Sequence, residues 1–131
     1  MTLPVAEFAF PGPLRDRLVA AILSGAKTTT SALLLPDEPV PVAGQRLAVV
    51  DSNGIRVASI ELTEVRLVRL ADVDLRHAVD EGEGDRSVAQ WRANHEEFWH
   101  GPEVRAELGE DFTVGDDTMI VAQRFRLLET Y

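Results

Sequence analysis

The chain contains no cysteine. Disulfides, thiolate nucleophiles and thiolate metal ligands are therefore excluded, and a cytoplasmic setting is the expectation. Lysine is almost as scarce. Lys27 is the one lysine among 13 Lys and Arg residues, and the other twelve are arginine. No apolar run approaches the roughly 20 residues that a membrane-spanning helix needs, so no membrane partner is expected. The N-terminus lacks the charged start and apolar block of a signal peptide. No repeat or low-complexity segment is present. Positive charge is also short: 13 basic residues face 22 acidic ones, a net charge of −9. A field of that sign repels a phosphate backbone. DNA-specific binding is not expected, RNA would need a local basic groove, and a small, weakly charged ligand suits the balance better.

What remains is an ordinary globular composition, 45% hydrophobic and 27% charged over 131 residues. That is the length of one domain, residues 1–131, with enough apolar content for one core. Phe10 to Pro13, "FPGP", predicts a turn into the helix "LRDRLVAAILSG". Its apolar stripe is Leu14, Leu18 and Ile22, with Ala21 beside it. Arg15, Asp16 and Arg17 fall off the stripe, and Gly25 is suited to a left-handed C-cap. "LLLPDEPVPVAGQ" reads as a loop, "RLAVVD" as a strand, Ser52 to Gly54 as a hairpin turn, and "IRVASIELTEVRLVRL" as the return strand. In the return strand Ala58, Ile60 and Leu62 are apolar at even positions, Val65 and Leu67 at odd ones. Such a phase change requires a bulge or bend near Thr63 and Glu64. "LADVDLRHAVDEGEGD" predicts short helical pieces ending in an acidic, glycine-rich turn. Ser87 and Gln90 form a capping box that opens the helix "SVAQWRANHEEFWHG", "PEVRAEL" is a further short helix, and "TMIVAQRFRLL" a closing strand. Without βαβ repeats, this order argues for an α+β fold with a mostly antiparallel, barrel-like sheet.

Three places carry candidate chemistry. The first is "GAKTTT", Gly25 to Thr30. A phosphate-binding P-loop is ruled out, because Ala26 separates Gly25 from Lys27 and Ala20 stands where the upstream glycine would be. If the segment turns, Lys27 can lie beside the Thr30 hydroxyl. A buried lysine loses proton affinity and can serve as a base, and a threonine hydroxyl needs such a neighbour to become a nucleophile. The alternative is a solvated lysine among turn residues Thr28, Thr29 and Ser31. The second place is "DEGEGD", whose glycines let Glu81 and Glu83 both bend into one cleft, either to hold the lysine or to act as general acid and base; a solvated acidic loop is the alternative. The stretch does not match a calcium loop, and no histidine completes a transition-metal site by spacing, so neither a metal nor a cofactor is expected. The third is the stripe Trp91, His95 and Trp99, which reads first as packing and second as a base-stacking surface.

"LSGAKTTT", then "EGEGDRSVAQWRANHEEFW", then "DDTMIVAQRFRLL" together resemble the ASCH domain proteins, most closely the longer bacterial branch that carries "EGEGDRS" before its tryptophan helix. The likeness runs from about Leu14 to Leu128. It implies a PUA-like, mostly antiparallel β-barrel with flanking helices and a cleft for RNA or a modified nucleoside. One branch of that family removes the acetyl group from N4-acetylcytidine. Its lysine, threonine and glutamate correspond here to Lys27, Thr30 and, across a gap, Glu83. Another member has been described as a ribonuclease on single-stranded RNA. The resemblance therefore implies a small hydrolase with Lys27, Thr30 and Glu83 as catalytic residues. Gly25 and Thr28 would supply backbone N–H groups to the ligand, with Glu81 and Arg15 also binding it. The alternatives are an RNA-binding or RNA-cleaving module, with Arg15 and Arg17 on phosphates, and a non-catalytic domain that recognises a modified base.

Overall fold

The structure is a computed structural model and describes residues 2–131. Five strands and four helices follow in the order β1 (Val5–Ala6), α1 (Pro13–Ser24), β2 (Thr29–Leu33), β3 (Arg46–Val50), β4 (Arg56–Arg69), α2 (Leu75–Asp80), α3 (Val88–Trp99), α4 (Pro102–Leu108) and β5 (Met119–Thr130). The strands form one curled sheet, a half-barrel, in the order β1-β3-β4-β5-β2. Only the β1–β3 pairing is parallel. The long β4–β5 ladder is its spine, pairing Ala58 with Thr130 at one end and Arg69 with Met119 at the other.

The expected break in β4 is present. Leu62 pairs with Phe125 and Glu64 with Arg124, so Thr63 is left over as a bulge. The extra residue brings Val65 to the core side, but the odd phase does not persist: Leu67 is 48% exposed, and Val68 packs with the second apolar group. Ile60 and Leu62 reach the core before the bulge, and Val65 packs against the same core after it.

Helix α1 begins with Pro13 in its first turn and ends at Gly25, which has φ 86° and donates its N–H to the Ile22 carbonyl. Leu18, Val19 and Ile22 are buried against the sheet. Arg15 departs from expectation. It is 3% exposed and its guanidinium donates to the carbonyls of Phe8, Ala9 and Asp51. Those three carbonyls belong to connections outside the sheet ladders, and a buried carbonyl needs a donor. Arg15 supplies it to Phe8 and Ala9 and adds a second donor to the Asp51 carbonyl, which also accepts from the Gly54 N–H, clamping the N-terminal segment to the β3–β4 turn.

Residues Thr29 to Leu33 also depart from the turn reading. They form an edge strand against β5, in which Thr30 pairs with Gln123. Helix α3 starts at the predicted cap: the Ser87 hydroxyl accepts from the Gln90 N–H. The reciprocal arm is displaced by one residue, since the Gln90 side chain accepts from the Arg86 N–H. The apolar interior lies in two groups. One gathers Phe8, Ile22, Val49, Ile60 and Phe125 under α1. The other gathers Leu70, Trp91, Trp99, Val104 and Ile120 under α3 and α4.

A buried lysine and carboxylate in the candidate site

The two motifs that the sequence separates by more than fifty residues are in contact. After the turn at Gly25 the chain passes directly over Gly82, where an added Cβ would lie 2.6 Å from the Ala26 carbonyl oxygen and 2.8 Å from the Lys27 nitrogen. Gly82 also has φ 73°. Only glycine meets both demands. The crossing is pinned by a hydrogen bond from the Thr28 N–H to the Asp80 carbonyl, 2.8 Å.

Lys27 is therefore turned inward and is 2% exposed. Its amine donates to the Thr29 carbonyl at 2.7 Å and to the Glu81 carbonyl at 3.3 Å. It stands 3.6 Å from Oε1 of Glu81, and 5.9 Å from the centre of the Phe8 ring. Glu81, 1% exposed, is the hub of the site. Its Oε2 accepts from the Ser31 hydroxyl and from the Trp91 indole N–H, both at 2.7 Å, and lies 3.2 Å from His77 Nε2. Its Oε1 accepts from His95 Nε2 at 3.1 Å. Ser31 Oγ is also 2.7 Å from His77 Nε2. His95 stacks on Trp91 at 4.1 Å between centres.

Burial alone would raise the Glu81 carboxyl. Hydrogen bonds from His77 and His95 and the Lys27 charge outweigh it and hold the group well below its ordinary value of 4.5. Lys27 moves down from 10.5, because burial disfavours its charged form more than Glu81 and Glu83 favour it. Glu83 moves up: the crowded wall desolvates its carboxyl and the Glu81 charge adds to that, against the pull of Lys27. Its residue surface is nonetheless exposed, which puts the carboxyl at the opening rather than in the interior.

A cavity of about 870 Å³ opens between α1, α3 and the inner face of the sheet. Lys27, Thr30, Ser31, Glu81, Glu83 and His95 all line it, with Phe8 and Phe98 among its apolar walls. Of the residues expected at the site, Lys27 and Glu81 are in contact, and Thr30 and Glu83 line the same cavity, while the Lys27 amine is turned to the Thr29 carbonyl rather than to the Thr30 hydroxyl. Arg15 is not among the lining: its guanidinium is committed to the backbone carbonyls of Phe8 and Ala9. Gly25 and Thr28 are likewise absent from the lining. Their N–H groups bond to Ile22 and Asp80, the first to close the helix and the second to hold the crossing. Neither is free for an oxyanion.

The partner of Lys27 is Glu81. Glu83 acts on the amine through its charge alone. The sequence reading missed Ser31 and His77. The signal for His77 was its place four residues before Glu81, one helical turn; nothing local marked Ser31. Trp91 is fully buried, as a packing residue should be, but its indole N–H also serves the carboxylate. One ligand atom each from Glu81, Glu83 and His95 lie within 4.8 Å of one another, close enough for a small cation. Glu81 and His95 already bond to each other there, and Lys27 supplies a positive charge beside them. An entering ion would have to break that bond and face the lysine.

The family model for the ASCH domain matches residues 7–129. The chain belongs to the ASCH domain family. This ASCH domain is similar over its whole length to 80% of a solved protein from Enterococcus faecalis V583, with TM-score 0.83 and 25% identity. Over 95% of its length it is similar to 79% of an ASCH domain from Lactobacillus crispatus JV V101, with TM-score 0.76 and 26% identity. An ASCH protein from Zymomonas mobilis shares the fold at TM-score 0.56 and 14% identity, over 97% of this chain and 73% of the other. No curated protein matches. The α+β architecture, a mostly antiparallel curled sheet with flanking helices, is the PUA-like fold.

Proposed function

We propose that this ASCH domain is a small hydrolase of an acylated nucleoside or related amide. The observation that carries the reading is the placement of two carboxylates near one buried lysine, Glu81 enclosed by donors and Glu83 at the opening of the cavity. Glu81 is held ionised, while Glu83, two residues on, takes up a proton more readily than usual. Carboxylates pushed apart in this way divide the roles of charge partner and proton donor. The correspondence of Lys27, Thr30 and Glu83 with the lysine, threonine and glutamate of one ASCH branch, the N4-acetylcytidine amidohydrolases, supports the choice of substrate class, and the aromatic-lined cavity has room for a nucleoside.

In this reading Thr30 is the nucleophile. Its Oγ forms a bond to the acyl carbon and its proton passes to the neutral amine of Lys27, whose burial makes that form accessible. The tetrahedral intermediate then collapses, the carbon–nitrogen bond breaks, and the leaving nitrogen takes a proton from the Glu83 carboxyl. Water then attacks the acyl carbon, the bond to Thr30 Oγ breaks, that oxygen takes the proton water gives up, and the proton held by Lys27 since the first step passes to Glu83. Glu81 keeps the lysine in place and is not itself protonated.

The test is hydrolysis of an N4-acylated cytidine, with labelled single-stranded RNA assayed in parallel. Lys27→Arg keeps the charge but has no neutral form near pH 7. It should lower the rate by about a hundred- to ten-thousand-fold, the usual range for a general base. Thr30→Val should abolish turnover, and Glu83→Gln should lower it. Full activity of Lys27→Arg would overturn the base role. Stabilisation of the wild-type domain by the nucleoside without turnover would favour a binding module. Cleavage of the RNA alone, with affinity falling steeply in salt, would favour the nucleic-acid reading.

A further inference from the structure

His95 makes two contacts that fix its protonation. Its Nδ1 is 2.8 Å from the Trp91 carbonyl oxygen, which can only accept. Its Nε2 is 3.1 Å from Oε1 of Glu81, a carboxylate that already receives the Trp91 indole proton on its other oxygen. A neutral imidazole carries one N–H and would leave one of these contacts as a lone pair facing an acceptor. Both contacts are satisfied only when both nitrogens carry a proton. The ring's near-parallel stack on Trp91, at 4.1 Å and 25°, suits a cation over an indole face.

We propose that His95 is held as an imidazolium that supplies the counter-charge of Glu81, and that it is thereby the positioning residue that leaves Lys27 able to become a neutral amine. Glu81 stands between two groups that compete for one negative charge: Lys27 at Oε1 and His95 at the same oxygen. With His95 charged, the carboxylate is already matched, and the cost of burying a second cation falls on Lys27. With His95 neutral, Glu81 has only Lys27 to balance it, and the lysine would keep its proton to higher pH. The neighbouring charges are consistent with this division. Glu83 also faces His95 and favours its charged form, His77 touches the other oxygen of Glu81, and Asp85 reinforces the negative side near Glu83. The raised affinity of His95 for its proton, won from Glu81 and the Trp91 carbonyl against burial, points the same way. The consequence for catalysis rests on the general-base reading of Lys27. The charge assignment does not.

The chain's single lysine makes the test direct, because side-chain carbon-13 labelling of lysine gives one ε-carbon resonance. In the wild-type protein, nitrogen-15 spectra should show both ring nitrogens of His95 protonated at pH 7.5. In His95→Gln, which keeps an N–H for Glu81 but no charge, the Lys27 midpoint should rise by about one pH unit, a tenfold change in proton affinity. His77→Gln should move it less. An unprotonated ring nitrogen of His95 at pH 7.5 would overturn the proposal, as would an unchanged or lowered Lys27 midpoint in His95→Gln. If that variant does not fold, the wild-type titration decides: the Lys27 resonance must respond as His95 loses its second proton, and a silent resonance would overturn the idea. No substrate enters either measurement. A domain without hydrolase activity can therefore pass this test, and an active one can fail it.

Discussion

The two halves of the interior are equally dry and are held together by different forces. Under α1, Ile22, Val49, Ile60 and Phe125 present only hydrocarbon, and each is 4% exposed or less. Under α3, Trp91 is buried to the same degree, but its indole N–H serves Glu81, which His77 and Lys27 also face, all three 3% exposed or less. Stability in the first region follows the area removed from water, at about 25 cal/mol per Å². In the second it depends on whether every charge keeps its partner, since an unpaired buried charge costs far more than a lost methyl group. The difference predicts that small changes will be tolerated on one side and punished on the other, and that only one side will respond to pH.

The largest effect should come from Glu81→Leu, which removes the carboxylate shared by Lys27 and His95 and leaves the Ser31 hydroxyl and the Trp91 indole N–H without their acceptor. Denaturant unfolding at pH 7 should show a loss of about 3–5 kcal/mol, the usual result of breaking a buried pair. Adding Lys27→Met should recover only part of it, because the unpaired ammonium is removed while Ser31, Trp91 and His95 still lack their acceptor. A Glu81→Leu protein as stable as wild type would erase the contrast between the halves.

Gly82→Ala tests the crossing that brings the site together. The new methyl would meet the Ala26–Lys27 peptide at 2.6 Å in a left-handed backbone position. A loss of about 1–3 kcal/mol is expected from the overpacking alone. The Lys27 resonance should shift with it, because the backbone that aims the amine must move.

Trp91→Phe removes one donor from Glu81 and three ring atoms from a fully buried position. It should cost about 1–3 kcal/mol at neutral pH, the range for a buried hydrogen-bonding group left short of a partner. On the apolar side, Ile60→Val should cost about 0.5–1.5 kcal/mol. The sharper comparison is across pH. The carboxyl of Glu81 sits well below 4.5 in the folded protein. Its contribution is present above the unfolded value and lost as pH falls towards the folded one. The cost of Glu81→Gln should therefore shrink on acidification below about pH 4.5, while the cost of Ile60→Val stays level. Parallel pH dependence for the two substitutions would mean that Glu81 is not the charge hub.

Much of the fold was legible because its signals are local. The bulge at Thr63 follows from apolar phase within one strand, the end of α1 from Gly25, and the start of α3 from Ser87 and Gln90. Lys27 stood out by being the one lysine, and the family motifs carried Thr30 and the acidic turn. Arg15 misled because helical periodicity describes a side chain's direction and not the carbonyls waiting for it. Ser31 and His77 escaped for a related reason: their roles exist only through Glu81, which is 50 residues from one and four from the other.

By itself the sequence determined the helices, the strands β3, β4 and β5, the caps and the α+β class, because propensity, capping and periodicity act over a few neighbouring residues; the edge strands β1 and β2 formed only through pairing with distant partners. It also determined that a lysine and two glutamates were available near glycines able to bend. Tertiary structure alone decided which carboxylate the lysine meets. The contact of Gly82 with the Ala26–Lys27 backbone brings the two motifs together and directs Glu81 inward, while Glu83 stays at the opening. Two glutamates with one chemistry and one spacer residue thus acquire opposite proton affinities. The cause is dielectric and geometric: the proton affinity of a carboxyl is set by the donors and charges within a few ångströms, and those came from β2, α2 and α3 together.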